Sequence, residues 1–327
     1  MAASKGLPRL AITMQHVSDL GSIHLDSCSL AIGSFDGVHR GHQALVQTLV
    51  TDALAKTLSS AVLTFYPHPS SILRDRRPAL YITSPDEKAT LLGDLGVDYV
   101  ITQHFDLKLS RVSADAFLDM LQAHLGFKHL WVGEDFALGY KREGDRQYLE
   151  LAGVKRGFQL HVVPPAVIDG EIVSSTRIRE ALRVGDVAIV ASFLGRAYEV
   201  PGEVVMGSSR GKQLGFPTAN LRIPEERAFP GPGVYACLAE VAGQTWKAVA
   251  NIGVRPTFEE SQELHTIEAH LLDFEGDLYR QKLALSFIER LRDEKRFSGP
   301  QALISQIKTD VQKAYEILDA LTETDDV

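Results

Sequence analysis

The sequence has 327 residues, which is too long for one ordinary hydrophobic core and predicts two domains. Its net charge of −8, with 45% hydrophobic and 23% charged residues, argues against a nucleic-acid partner, because no basic face is available to neutralise phosphates. Two cysteines, Cys28 and Cys237, without a CxxC motif indicate a reducing compartment and not a disulfide or zinc framework.

The N-terminal region lacks an apolar run long enough for a signal peptide. No stretch of the sequence reaches the roughly 20 apolar residues that a membrane span requires. We therefore expect a cytoplasmic protein without a membrane partner.

In the first half, short apolar segments alternate with amphipathic ones. The predicted strands are 29–35, 61–65, 99–101, 129–132 and 160–163, and the predicted helices are 39–58, 85–95, 114–125, 148–156 and 175–184. This alternation predicts an α/β domain with a doubly wound, Rossmann-like parallel sheet that is covered on both faces.

From about residue 197, short strand-like segments follow one another without helices between them. They are 203–206, 234–241, 245–252, 265–272 and 282–288, separated by Gly and Pro, and an amphipathic helix at 299–321 follows. This pattern predicts a small antiparallel β-barrel with a C-terminal helix. A boundary near 186–197 gives two domains, 1–186 and 187–327.

The motif GSFDGVHRGH, residues 33–42, lies where the first strand meets the first helix, at the edge where open parallel sheets bind ligands. Gly33, Gly37 and Gly41 let the backbone approach a phosphate, and the helix N-terminus offers free N–H groups. His39 and His42 share one face of the first turn and are candidates to stabilise a departing pyrophosphate. A capping or surface histidine is the alternative, and a zinc site is disfavoured because no third and fourth ligand lie nearby.

A second polar motif, VSSTRIR at 173–179, opens the last helix of the first half. Ser174 or Ser175 alone is explained by helix capping. A run of three hydroxyls followed by Arg177 and Arg179 favours a site for a transferring phosphate.

In the second half, the loop GSSRGKQLGFPTAN at 207–220 is rich in glycine and basic residues. It is not a P-loop, because its spacing is one residue short, Gln213 replaces Ser or Thr, and Pro217 opposes a following helix. Thr218 and Asn220 face the same way on an extended segment, so their oxygens are candidate Mg²⁺ ligands beside ATP. A Gly/Pro loop with an Asx-turn is the alternative.

A carboxylate interrupts the predicted strand TIEAHLL at 266–272. Alternation places Ile267, Ala269 and Leu271 on one face and Glu268 and His270 on the other. Glu268 is therefore a candidate general base for a hydroxyl that attacks a γ-phosphate, with a buried ion pair or an exposed position as the alternatives.

The combination of HxGH with SSTxIR resembles the bacterial bifunctional riboflavin kinase/FMN adenylyltransferase family, also called FAD synthetase. Further similar segments are TFYPHP at 64–69, VGEDFALG at 132–139, LGFPTANL at 214–221, GPGVYA at 231–236, NIGVRPT at 251–257, EAHLLDF at 268–274 and LRDEKRF at 291–297. The resemblance covers residues 28–315, and Leu138 stands where the family has Phe.

The resemblance implies that riboflavin, FMN and ATP are substrates, that FMN and FAD are products, and that Mg²⁺ is the cofactor. In the first domain the implied ATP-binding residues are Gly33, Phe35, Asp36, Gly41, Ser174, Ser175 and Thr176, with His39, His42 and Arg179 acting in catalysis. In the second domain the implied residues are Gly211 and Lys212 for ATP, Thr218 and Asn220 for ATP and Mg²⁺, and Glu268 as base. The implied flavin-binding residues are Phe65, His68, Asp135 and Arg296.

Two alternatives are a kinase-only enzyme and a non-catalytic regulator that binds flavin or nucleotide. The intact HxGH and SSTRIR motifs argue against the first. The joint presence of Thr218, Asn220 and Glu268 argues against the second, because a binding protein needs no base. We expect a monomer or a weak homo-oligomer.

Overall fold

A computed structural model describes residues 13–73, 80–207, 215–255 and 264–324. The chain divides into two units, Met1–Val173 and Ser174–Val327. The predicted domains, 1–186 and 187–327, place the division further along the chain, and that boundary stays a prediction.

Six parallel strands form the sheet of the first unit, in the spatial order β1-β4-β3-β2-β5-β6. They are β1 (Gln15–Val17), β2 (Cys28–Ile32), β3 (Ser59–Tyr66), β4 (Tyr99–His104), β5 (His129–Gly133) and β6 (Gln159–Val163). A small hairpin of β7 (Val167–Ile168) and β8 (Glu171–Ile172) follows.

Helices cover both faces of this sheet. They are α1 (Arg40–Ala55), α2 (Pro69–Leu73), α3 (Pro85–Asp94), α4 (Ala114–Leu125) and α5 (Arg146–Arg156). One buried cluster joins α1 and α3 to the sheet, and a second joins α4 and α5 to the opposite face. The prediction of a doubly wound parallel sheet is confirmed.

Local sequence explains where these helices begin and end. Ser84 caps α3 in a capping box with Glu87, and Ser113 accepts a hydrogen bond from the first turn of α4. Helix α4 stops at Gly126, whose φ of 52° is left-handed.

The second unit begins with two helices, α6 (Ser175–Val184) and α7 (Val187–Leu194). A closed antiparallel barrel follows, in the spatial order β10-β13-β12-β11-β14-β9. Its strands are β9 (Tyr198–Val205), β10 (Ala219–Arg222), β11 (Gly233–Val241), β12 (Gln244–Arg255), β13 (Leu264–Leu271) and β14 (Lys282–Arg292). The prediction of an antiparallel barrel is confirmed.

The last helix, α8 (Pro300–Thr324), packs on the outside of the barrel and confirms the predicted C-terminal helix. Ala314 and Leu318 of α8 lie in one buried cluster with Val234 and Ala236 of β11. An ion pair joins β14 to this helix, because the Arg292 guanidinium donates to both oxygens of the buried Asp310 carboxylate at 2.8–3.0 Å.

Candidate functional site

The loop between β2 and α1 adopts an unusual backbone conformation, which a buried carboxylate holds in place. Phe35, Gly37 and Val38 have positive φ angles of 48°, 85° and 42°. The carboxylate of Asp36, which is 1% exposed, accepts hydrogen bonds from the backbone N–H groups of Ile82 and Thr83, both at 3.1 Å. Asp36 therefore holds the loop in shape, and its implied contact with ATP stays a prediction.

The two histidines of HxGH stack on each other at the start of α1. His39 is the N-cap, and its Nδ1 accepts a hydrogen bond from the backbone N–H of His42 at 3.4 Å. The ring centroids are 3.6 Å apart. A Cβ on Gly41 would lie 3.3 Å from the His39 ring, so glycine leaves room for this packing. The prediction that the two rings share one face is confirmed.

His42 is held in its neutral form by burial and by the positive charges around it. Burial lowers its pKa well below the ordinary value, and the positive charges of His39 and Lys88 lower it further. Its Nδ1 atom is buried and has no hydrogen-bond partner among the described residues. A phosphate beside this ring would favour the protonated form and give the ring a second donor.

Lys88 is a buried cation that sequence reasoning missed. It lies on α3 and is 5% exposed. Its Nζ donates to the carbonyl oxygen of Ser34 at 2.9 Å and to Oγ1 of Thr64 at 3.0 Å. Burial lowers the pKa of Lys88 to about 8, and the negative charge of Asp36 acts in the opposite direction. A positive charge therefore lies directly beneath the glycine-rich loop.

The predicted flavin segments follow strands that flank β2. Phe65, near the end of β3, is half-buried and lies 5.7 Å from the Phe105 ring between centroids. His68 Nδ1 accepts the backbone N–H of Ser70 at 3.1 Å, so a neutral His68 carries its proton on Nε2. Asp135, after β5, is exposed and lies in an open surface pocket. Their contacts with flavin stay predictions.

The SSTRIR motif begins α6 in the second unit. Ser174 is the N-cap, and its Oγ accepts the N–H of Arg177 at 3.3 Å, so capping explains this hydroxyl. Ser175 and Arg179 are half-buried and Thr176 is exposed. The structure gives Ser174 a structural role, while the roles of Ser175, Thr176 and Arg179 in phosphate transfer stay predictions.

In the barrel, three polar residues form a row across neighbouring strands. Glu268 of β13 lies opposite Asn220 of β10 on one side and opposite Asn251 of β12 on the other. All three are half-buried, and directly opposite residues project to the same face of a sheet. The flanking Ile267 and Ala269 are buried, as the alternation predicted. The sequence did not single out Asn251, because only the strand register places it beside Glu268.

The segment before β10 is anchored to β13. His270 Nδ1 lies 2.8 Å from the carbonyl oxygen of Pro217, which only accepts, so Nδ1 carries the donated proton. The Phe216 ring meets the His270 ring edge-on. Thr218 and Asn220 are half-buried on either side of the buried Ala219, so they face the same way as predicted.

Three other predicted residues remain outside this row. Gly211 and Lys212 lie outside the described residues. Arg296 is exposed in the irregular segment after β14, and its contact with flavin stays a prediction.

Comparisons with known proteins assign both units. The FAD synthetase family model matches residues 22–177, and the riboflavin kinase family model matches residues 194–318. A bifunctional riboflavin kinase/FMN adenylyltransferase of Pseudomonas fluorescens is 40% identical over 288 residues, covering 88% of this chain and 92% of the relative. One of Escherichia coli K12 is 37% identical over 304 residues, covering 92% and 96%.

A solved structure described as a macrolide-efflux protein from Streptococcus pneumoniae superposes with a TM-score of 0.84. It is 29% identical in sequence, and the match covers 92% of this chain and 98% of that one. Among the described residues of the present chain, no helix is both long and apolar enough to cross a membrane.

Proposed function

The chain belongs to the bifunctional riboflavin kinase/FMN adenylyltransferase family, and from this membership we propose how its residues divide two ATP-dependent reactions. The C-terminal barrel phosphorylates riboflavin to FMN, releasing ADP. The parallel-sheet domain adenylylates FMN to FAD, releasing pyrophosphate. Two polar clusters, one in each unit, support this division: the stacked His39 and His42 in the first unit, and Asn220 opposite Glu268 in the second.

In the kinase reaction, Glu268 is the general base. It accepts the proton of the ribityl 5′-hydroxyl as that oxygen attacks the γ-phosphorus of ATP, and ADP leaves. Asn220 lies directly opposite Glu268 in the strand register, so the base and an ATP-facing amide share one face of the barrel. His270 positions the segment before β10 through its hydrogen bond to the carbonyl oxygen of Pro217.

The cofactor that fits Thr218 and Asn220 is Mg²⁺. The side chains of Thr218 and Asn220 offer oxygen atoms, which are the ligands that this ion prefers, and both are half-buried. When bound, Mg²⁺ supplies positive charge to the β- and γ-phosphate oxygens of ATP. The protein's part is to hold the nucleotide and to keep Glu268 beside the acceptor hydroxyl.

In the adenylyl transfer, a phosphate oxygen of FMN attacks the α-phosphorus of a second ATP. This nucleophile is already an anion, so no general base is needed, and catalysis consists of positioning and charge stabilisation. His39 and His42 stabilise the departing pyrophosphate. Lys88 adds positive charge beneath the same loop through its contact with the Ser34 carbonyl.

We further propose a cytoplasmic location and a monomer or weak homo-oligomer. Support for a reducing compartment comes from Cys28 and Cys237, which are both buried and unpaired.

The deciding experiment is product analysis with two single variants. With riboflavin, ATP and Mg²⁺, the native protein should form FMN and then FAD. Glu268→Gln should lower FMN formation by about 10²–10⁴-fold and leave FMN-to-FAD conversion intact. His42→Ala should lower FAD formation by about 10²–10³-fold and leave the kinase intact.

Matched controls lie on the same units. Glu240→Gln changes an exposed carboxylate of the barrel, and His24→Ala changes an exposed histidine of the first unit, so both should be active. Loss of both activities in one catalytic variant would refute the two-site division. A native protein that stops at FMN is a kinase only, and one that forms no product is a regulator.

A further inference from the structure

A cluster of three ligand-type side chains lies in the first unit, away from the glycine-rich loop. It consists of Asp52, His129 and His161, and one ligand atom from each lies within 4.8 Å of the others. His129 is the first residue of β5, whereas the loop follows the end of the neighbouring parallel strand β2. The cluster therefore lies toward the amino-terminal edge of the sheet, and the nucleotide loop lies at the opposite edge.

The fold dictates how these residues meet. In the register of β5 and β6, His129 pairs with Gln159 and Trp131 pairs with His161, so both histidines project to the same face. Helix α1 covers that face, because Leu49 of α1 and Trp131 belong to one buried cluster. Asp52 follows Leu49 by three residues and therefore points to the same surface.

The distances suit one small ion. His129 Nδ1 lies 3.0 Å from His161 Nε2 and 4.0 Å from Asp52 Oδ2. A tetrahedral ion bound at about 2.0–2.1 Å needs ligand separations of roughly 3.3 Å, so small side-chain rotations bring all three atoms into range. The His161 ring is already oriented, because it stacks on the Trp131 indole with centroids 4.0 Å apart.

Asp52 is poised for a cation. Its Oδ2 is buried and has no hydrogen-bond partner within the described ranges, which is costly for a carboxylate oxygen. Asp52 also lies in the last turn of α1, where the helix dipole favours positive charge. Lys56 forms an ion pair with the other oxygen, Oδ1. Because the Lys56 side chain is 40% exposed, this pair offsets only part of the negative charge of the carboxylate.

We propose that Asp52, His129 and His161 form a binding site for a divalent transition-metal ion. Two imidazole nitrogens and one carboxylate oxygen, with a water completing the shell, are a ligand set suited to Zn²⁺, Co²⁺ or Ni²⁺ and not to Mg²⁺ or Ca²⁺. The site joins the last turn of α1 to β5 and β6 and is separate from the ATP-bound Mg²⁺ of the kinase.

Trp131 gives the site a built-in reporter. The chain has two tryptophans, Trp131 and Trp246, so the full-length Trp246→Phe variant carries one indole, which stacks on the His161 ring. Titration of tag-free protein with CoCl₂ should quench its fluorescence to saturation at one ion per chain. ZnCl₂, which does not quench by itself, should reverse this effect, and millimolar MgCl₂ should not.

Ligand variants decide the assignment. His129→Gln and Asp52→Asn should each weaken Co²⁺ binding by at least about tenfold, whereas His124→Gln, at a half-buried histidine outside the cluster, should bind as before. Zn²⁺ should also raise the melting temperature of the parent and not that of His129→Gln. Absence of saturable quenching, or binding of Co²⁺ by both ligand variants as tight as by the parent, overturns the proposal.

Discussion

The buried Lys88 should make the free energy of unfolding of the first unit depend on pH, and the substitution Lys88→Met should remove this dependence. Its pKa is lowered from 10.5 to about 8 in the folded protein, mainly by burial. Because the unfolded chain binds more protons between these two values, stability rises as the pH increases from about 8 to 10.5. The side chain is 5% exposed, so solvent screening reduces this effect little.

The magnitude follows from the size of the pKa change. Keeping Lys88 charged in the fold costs about 3 kcal/mol at pH 7, and roughly 2.5 kcal/mol of this cost disappears by pH 10. Lys88→Met has no such charge. The free energy of unfolding of the native protein should therefore rise by about 2–3 kcal/mol relative to that of the variant between these pH values.

Urea unfolding at pH 7 and pH 10 measures this difference, and other titrating groups cancel in the comparison. Trp131 fluorescence in a Trp246→Phe background restricts the signal to the first unit. Lys108→Met, at an exposed lysine, is the matched control and should show no relative change. A stability difference between native protein and Lys88→Met that is the same at both pH values would refute the buried, low-pKa lysine.

Three further substitutions test the barrel. His270→Phe removes the hydrogen bond to the segment before β10 and should raise the KM for ATP more than it lowers kcat, as measured by steady-state kinase kinetics. Gly207→Ala places a methyl group against the Asn220 amide, so kinase activity should fall while FMN-to-FAD conversion, assayed in the same sample, is unchanged. Arg292→Leu leaves the buried Asp310 carboxylate without its bidentate partner and should destabilise the second unit by about 3–5 kcal/mol in urea; a loss under 1 kcal/mol would contradict this.

Sequence periodicity predicted most of the fold because local signals agree with tertiary packing. The helix predicted at 114–125 is observed over the same residues, since a capping serine precedes it and Gly126 ends it. Helix α7 was missed because Gly185 and Asp186 resemble a helix stop and a turn, although Asp186 in fact caps the next helix. Strand β10 was missed because four residues are too short for a pattern.

Site residues were predictable where several polar groups lie close together in sequence, as in HxGH. Lys88 carries no such signal, because a lysine on an amphipathic helix is usually exposed and only packing against Ser34 and Thr64 reveals its burial. Asn251 and His270 likewise gain meaning from strand register and from one hydrogen bond. Side chains that act through long-range contacts cannot be identified from one sequence.

The loop after β2 differs from most surface loops in where its side chains lie. Phe35, Asp36 and Val38 are each 1% exposed, so the segment that we propose to face the nucleotide is also part of the hydrophobic core. Segments with few buried contacts open locally, but this one cannot open without unpacking α1 from the sheet. Its amide hydrogens should therefore exchange with solvent only through global unfolding of the first unit. On heating, adenylylation should persist up to the melting transition of that unit and then be lost with it.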